Sequence, residues 1–153
     1  MLKAGDKAPA FSSQNHHGQA ISLGDFQGKN LVLYFYPKDD TPGCTIEANE
    51  FTALANEFAA ANTVVLGVSK DDCASHQAFI DKFGLSIDLL ADTSGELCEA
   101  YGVWQMKEKN GVSKMGIVRS TFIIDVDGNL TSAEYGVNPE GHAQAVLATV
   151  QAL

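Results

Sequence analysis

The stretch YFYPKDDTPGCTIEANEF, residues 34 to 51, sets a cysteine just inside a helix start, directly after an apolar run. Thr41-Pro42-Gly43-Cys44 reads as that start, with Thr41 as a capping hydroxyl and Pro42 at the first helical position. Cys44 then falls in the first turn, where unpaired N–H groups and the helix dipole favour an anion. A thiol held there ionises more readily and becomes a nucleophile. A small buried hydrophobe explains a free cysteine equally well.

Arg119 is the second candidate. It interrupts the apolar run GIV-R-STFII at a strand entrance, where a buried guanidinium needs an anionic or acceptor partner. Beside Cys44 it would favour the thiolate and offer a fork of donors to an oxygen-rich substrate. An arginine just outside the sheet, reaching solvent, is the competing reading.

Ionisation alone achieves little. Lowering a thiol pKa from about 8.5 to about 6 raises its ionised fraction at neutral pH about 30-fold. Nucleophilicity falls by about 13-fold over the same shift, so the net gain is about two-fold. A fast thiol reaction therefore needs donors aimed at the atoms whose bond is breaking. Thr41, Arg119 and the helix N–H groups are the candidates.

These groups must be positioned by regular elements. Asn30–Tyr36 is a continuous apolar run ended by Pro37, as expected of a strand buried on both faces. Cys44–Ala60 carries Cys44, Ala48, Phe51, Leu54, Ala55 and Phe58 on one helical face. Thr63–Ser69 is a second buried strand, and Cys73–Phe83 a helix by the spacing of His76, Phe79, Ile80 and Phe83. Ile87–Ala91 and Ser94–Tyr101 follow as strand and helix, and 102–116 reads as a loop. Ser120–Asp125 and Leu130–Tyr135 flank Asp127-Gly128, a two-residue hairpin signal. Glu140–Leu153 closes as a helix with Ala143, Val146, Leu147 and Val150 inward. This order implies an α/β fold with parallel strands first and an antiparallel pair last, the order of a thioredoxin-like fold with an N-terminal extension.

Composition narrows the options. The chain has 153 residues, 45% of them hydrophobic and 19% charged, which suits one globular domain spanning 1–153. A net charge of −9 disfavours nucleic-acid binding. No apolar segment of signal-peptide or membrane-span type occurs, so a cytoplasmic location is expected. Three cysteines are too few for a disulfide scaffold.

Pro37, Thr41 and Cys44 form a P-x-x-x-T-x-x-C pattern that resembles the peroxiredoxin signature. TPGCT with the downstream RSTFIID is similar to the bacterioferritin comigratory protein, or PrxQ, branch. The likeness runs from GDKAPAF through GVSKDD, SHQAF and YGVW to the last helix. It implies a peroxiredoxin-type thioredoxin-like fold, a central mixed β-sheet flanked by helices. It implies a peroxidase of hydrogen peroxide and organic hydroperoxides acting through a Cys44 sulfenic acid, with no metal, haem or flavin. Thr41 would bond the peroxide, Arg119 would hold the thiolate and developing charge, and Pro37 would shield the pocket. Glu47 matches a glutamate that positions the arginine in relatives; a helix-surface acid accounts for it as well.

Relatives place a resolving cysteine at the position of Asn49 or at that of Ile80, and here both are vacant. Cys73, about two helical turns or ~10 Å before Ile80, is the candidate resolver, by local unfolding; Cys98, on an apolar face with Leu97 and Tyr101, reads as core. A one-cysteine mechanism is preferred, with thioredoxin or glutathione and glutaredoxin as reductant and a monomer or weak homodimer as the assembly.

The rivals are a zinc site at Cys73-x-x-His76, short of the four ligands that structural zinc needs, and a cysteine hydrolase using His76 or His142, both read as solvated polar residues. A dithiol exchanger would want a cysteine at Thr41. A non-catalytic thioredoxin-fold binding module is the remaining alternative.

Overall fold

The computed structural model describes residues 1–153. A small hairpin, β1 (Ser12–Gln14) and β2 (Ala20–Ser22), and a 3-10 turn at Leu23–Phe26 come first. The chain continues through β3 (Asn30–Phe35), α1 (Pro42–Ala53), α2 (Ala55–Ala60), β4 (Thr63–Ser69), α3 (Cys73–Phe83) and β5 (Asp88–Ala91). It ends with α4 (Glu96–Ala100), β6 (Trp104–Lys109), β7 (Val112–Ile117), β8 (Ser120–Ile124), β9 (Leu130–Tyr135) and α5 (His142–Gln151). No helix is long and apolar enough to cross a membrane.

The central sheet has the order β5-β4-β3-β8-β9. β3, β4 and β5 run parallel, while β8 is antiparallel to β3 and β9 to β8. This is the mixed, helix-flanked sheet that the element order implies. All six residues of β3 are buried because the strand is central and covered on both faces. The pleat divides its side chains between two cores. Val32, Tyr34 and Tyr36 meet Phe51, Phe58, Phe79 and Val146 from α1, α2, α3 and α5. Leu31, Leu33 and Phe35 meet Leu97, Cys98 and Tyr101 on the other side. Gly67 of β4 makes room for the first core: a Cβ there would lie 2.7 Å from Leu89 Cδ2 and 2.8 Å from the Tyr34 ring.

Three local expectations are corrected. The helix whose apolar face runs over 44–60 starts at Pro42 as TPGC implies, but it breaks at Leu54 (φ −101°, ψ 8°), leaving two helices. Residues 102–116 are not a loop, since 104–109 and 112–117 pair as an antiparallel hairpin. Its turn is Asn110-Gly111, with φ of +54° and +78°, the left-handed pair that suits a tight hairpin. The strands escape a periodicity reading because most of their side chains are solvent-exposed and show no alternation. Conversely, Asp127-Gly128 does not form a two-residue turn. Asp125 accepts hydrogen bonds from the N–H groups of Asp127 and Asn129, which spreads the connection over 125–129.

Candidate active site

Cys44 is the third residue of α1 and is 1% exposed. Thr41 is the N-cap by backbone conformation (φ −97°, ψ 156°) and Pro42 opens the helix. The expected hydroxyl cap is absent: Thr41 Oγ1 donates to the Lys38 carbonyl at 2.8 Å instead. No side chain therefore caps the first turn, and its N–H groups and dipole act on the sulfur's own turn. Asp40, just before the cap, takes φ +59°, a left-handed conformation that a short acid tolerates.

Arg119 immediately precedes β8, whose Ser120 pairs with Phe35 at the carboxyl end of β3. That register carries the guanidinium to the strand end from which the Cys44 loop departs. Nη2 donates to Cys44 Sγ at 3.4 Å and Nη1 to Glu47 Oε1 at 2.8 Å. The Arg119 carbonyl accepts from the N–H groups of Gly136 and Val137, which fixes the main chain behind it. Gly43 leaves room for the approach, for a Cβ there would stand 3.1 Å from Nη2. Burial alone would make the guanidinium less basic, but facing Cys44 and Glu47 outweigh it and raise its pKa.

Glu47 is not a surface acid. It is fully buried, and Oε2 has no hydrogen-bond partner. Burial pushes its carboxyl up to about 7 against the opposing pull of Arg119. Pro37 is solvent-exposed just beyond β3, four residues before Thr41.

The other cysteines lie apart. Cys73 opens α3, half-buried, with Sγ against the Asn15 carbonyl at 3.3 Å in the N-terminal hairpin. Its thiol is not brought to Cys44. Cys98 lies in the second core, across the sheet from Cys44.

Two histidines differ from their sequence reading. His76 is 0% exposed, with Nδ1 2.8 Å from Asp39 Oδ2 and Nε2 2.8 Å from the Leu90 carbonyl. Asp39 also accepts from Tyr36 Oη at 2.6 Å and Ser75 Oγ at 2.8 Å, and its N–H donates to Asp71. Burial pushes the Asp39 carboxyl up, yet the bonds from His76 and Tyr36 prevail and hold it low. This buried cluster ties the loop between Pro37 and Thr41 to the head of α3. Its sequence signal is a histidine on the same helical face as Phe79 and Phe83. Cys73 and His76 turn to different partners, which separates the two presumed zinc ligands. His142 is also buried, with Nε2 2.8 Å from Thr121 Oγ1.

Fold and site together narrow the chain to thioredoxin-like proteins that work through one activated thiol rather than a C-x-x-C pair. The match to the AhpC/TSA family covers residues 4–133, and the chain belongs to that family. It is 41% identical over 150 residues to Peroxiredoxin Bcp of Bacillus subtilis, covering 98% of this chain and 96% of that one. Peroxiredoxin Bcp of Escherichia coli is 39% identical over 146 residues, 95% of this chain and 94% of the relative. Among solved structures, Xylella fastidiosa PrxQ superposes with a TM-score of 0.94 at 36% identity, covering 99% and 97% of the two chains. A structure of Xanthomonas campestris bacterioferritin comigratory protein, described for its alkyl peroxide reduction activity, gives a TM-score of 0.91 at 39% identity, covering 97% and 98%.

Proposed function

We propose that this thiol peroxidase reduces hydrogen peroxide and small organic hydroperoxides at Cys44. The thiolate attacks one peroxide oxygen: an S–O bond forms, the O–O bond breaks, and the departing alkoxide or hydroxide takes a proton. Cys44 is left as sulfenic acid. The observation that carries this reading is the Arg119 guanidinium 3.4 Å from Sγ at an uncapped helix start. The fork stabilises the thiolate and then the charge growing on the leaving oxygen. Because the Thr41 proton is engaged by Lys38, its oxygen is free to accept from the peroxide O–H. Glu47 holds the arginine, and Pro37 shields the sulfur from water.

Resolution is external. A first thiol attacks the sulfenate sulfur and releases water, and a second reduces the mixed disulfide, giving ROOH + 2 RSH → ROH + RSSR + H2O. Thioredoxin, or glutathione with glutaredoxin, supplies the thiols. Residues 1–153 act as one domain in the cytoplasm, as a monomer or weak dimer, without metal or prosthetic group.

Cys44→Ser is expected to abolish peroxide consumption, and Cys98→Ser to leave turnover nearly unchanged; activity retained in the first variant removes the assignment. Mass spectrometry after one equivalent of peroxide distinguishes the routes. One added oxygen on Cys44 supports external resolution, and a Cys44–Cys73 disulfide overturns it in favour of a two-cysteine cycle.

A further inference from the structure

The chain carries a net charge of −9, with 10 Lys and Arg side chains in all. Five of them, Lys38, Lys70, Lys107, Lys109 and Lys114, line one groove of about 680 Å³ beside Pro37. No Asp or Glu lines it. In an acidic protein that segregation creates a local positive field against the overall charge.

The hairpin bears a cost to keep it. Lys107 and Lys114 are direct partners across β6 and β7, and like charges placed opposite each other destabilise a strand pair. Lys107 folds inward over Gly116, where a Cβ would stand 3.0 Å from its Cδ, and Nζ donates to the Ile117 carbonyl at 2.8 Å. Ile117 stands two residues before Arg119, and the carbonyl of Lys38, another groove residue, accepts the Thr41 hydroxyl, so the inner end of the groove adjoins the two segments that carry the guanidinium and the reactive sulfur. Across from it, Lys70 lies over the Trp104 ring at 4.0 Å from its centroid, with Ile117 and Met115 adding apolar wall.

We infer that this groove binds the reductant: a small thiol carrying carboxylates, drawn in by the lysines and handed to the Cys44 sulfenate. This rests on the one-cysteine reading above. The vacant resolving positions, Asn49 and Ile80, leave the sulfenate dependent on an incoming thiol. A thiolate that arrives with further negative charge is concentrated by the lysines before it meets the sulfur. It attacks the sulfenic acid sulfur: an S–S bond forms, the S–O bond breaks, and the departing hydroxide takes a proton to become water. A second equivalent of the same thiol attacks the mixed disulfide, releasing the Cys44 thiol and the reductant's own disulfide.

Trp104 is the only tryptophan and lies in the groove, so its fluorescence reports binding without turnover. Adding S-methylglutathione, whose sulfur is blocked, to the unoxidised protein should change that signal saturably, and its diethyl ester should not. Lys109→Gln with Lys114→Gln, both exposed positions, should weaken the titration about five-fold or more. For peroxide-oxidised enzyme, the ratio of the glutathione rate to the dithiothreitol rate should fall by a similar factor. Rising salt should lower that ratio too. An unchanged ratio in the double variant overturns the inference. It is equally overturned if the variant slows only oxidation by a carboxylate-bearing peroxide, or only reduction by an acidic dithiol protein. Because the titration uses no peroxide, a failure of the peroxidase reading would show separately, as activity surviving in Cys44→Ser.

Discussion

Cys44 and Cys98 are each the third residue of a helix, and neither is more than 1% exposed. Their electrical surroundings are opposite. At α1 no side chain meets the first-turn N–H groups, and a guanidinium lies 3.4 Å from the sulfur. At α4 the N–H groups of Leu97 and Cys98 are taken by the Asp92 carboxylate, at 3.1 and 2.8 Å. Burial pushes the Cys98 thiol far up, and the neighbouring carboxylate pushes it further. A helix start accommodates one anion comfortably. In α4 a carboxylate has that place, and in α1 no side-chain carboxylate takes it. Position in a helix therefore does not make a cysteine reactive; donors left free for the sulfur and a cation beside it are both needed.

The contrast breaks most visibly at the arginine. Arg119→Met should slow the peroxide step about 10²-fold, the loss typical of a donor aimed at a developing charge. Stopped-flow oxidation of Cys44 measures it, and an unchanged rate would mean that the arginine only packs.

Glu47 sharpens the comparison through pH. Its carboxyl is raised from an ordinary 4.5 to about 7, so between those values the folded chain keeps a proton that the unfolded chain releases. The contribution to stability is full below 4.5 and lost as pH rises to about 7. Glu47→Gln cannot ionise and should flatten that slope, by an amount on the order of 3 kcal/mol. Urea unfolding of both proteins at either end of the window checks it; parallel slopes would assign the ionisation elsewhere.

The smallest effect is expected at the inert site. Asp92→Ala orphans two N–H groups and should cost about 1–2 kcal/mol of stability, while Cys98 stays unoxidised because burial persists. An oxygen added to Cys98 in that variant would show that the carboxylate, rather than burial, keeps it inert.

Much of the site was legible because its signals are local. TPGC names a helix start from four consecutive residues, and the apolar run before it announces a central strand. Arg119 was legible as an anomaly, a charge where hydrocarbon was due. Its partner Glu47 was reached through the family resemblance and not through spacing, because only the folded sheet brings the two together. The Thr41 hydroxyl was misread since the Lys38 carbonyl competes with the cap. The Asp39–His76 cluster joins residues 37 apart in the chain, and nothing short of the folded sheet places them together. The lysine hairpin carried its Asn-Gly turn in plain view, but strands that bury little leave no rhythm to read.

The interruption at Leu54 bears on how the enzyme moves. The Leu54 N–H is shared between the carbonyls of Glu50 and Phe51, at 3.3 and 3.2 Å, and the helical register ends there. If α1 were to fray from Pro42, this joint is where the disturbance would stop. Beyond it Phe58 is held in the first core, so α2 could keep its packing while α1 loosened.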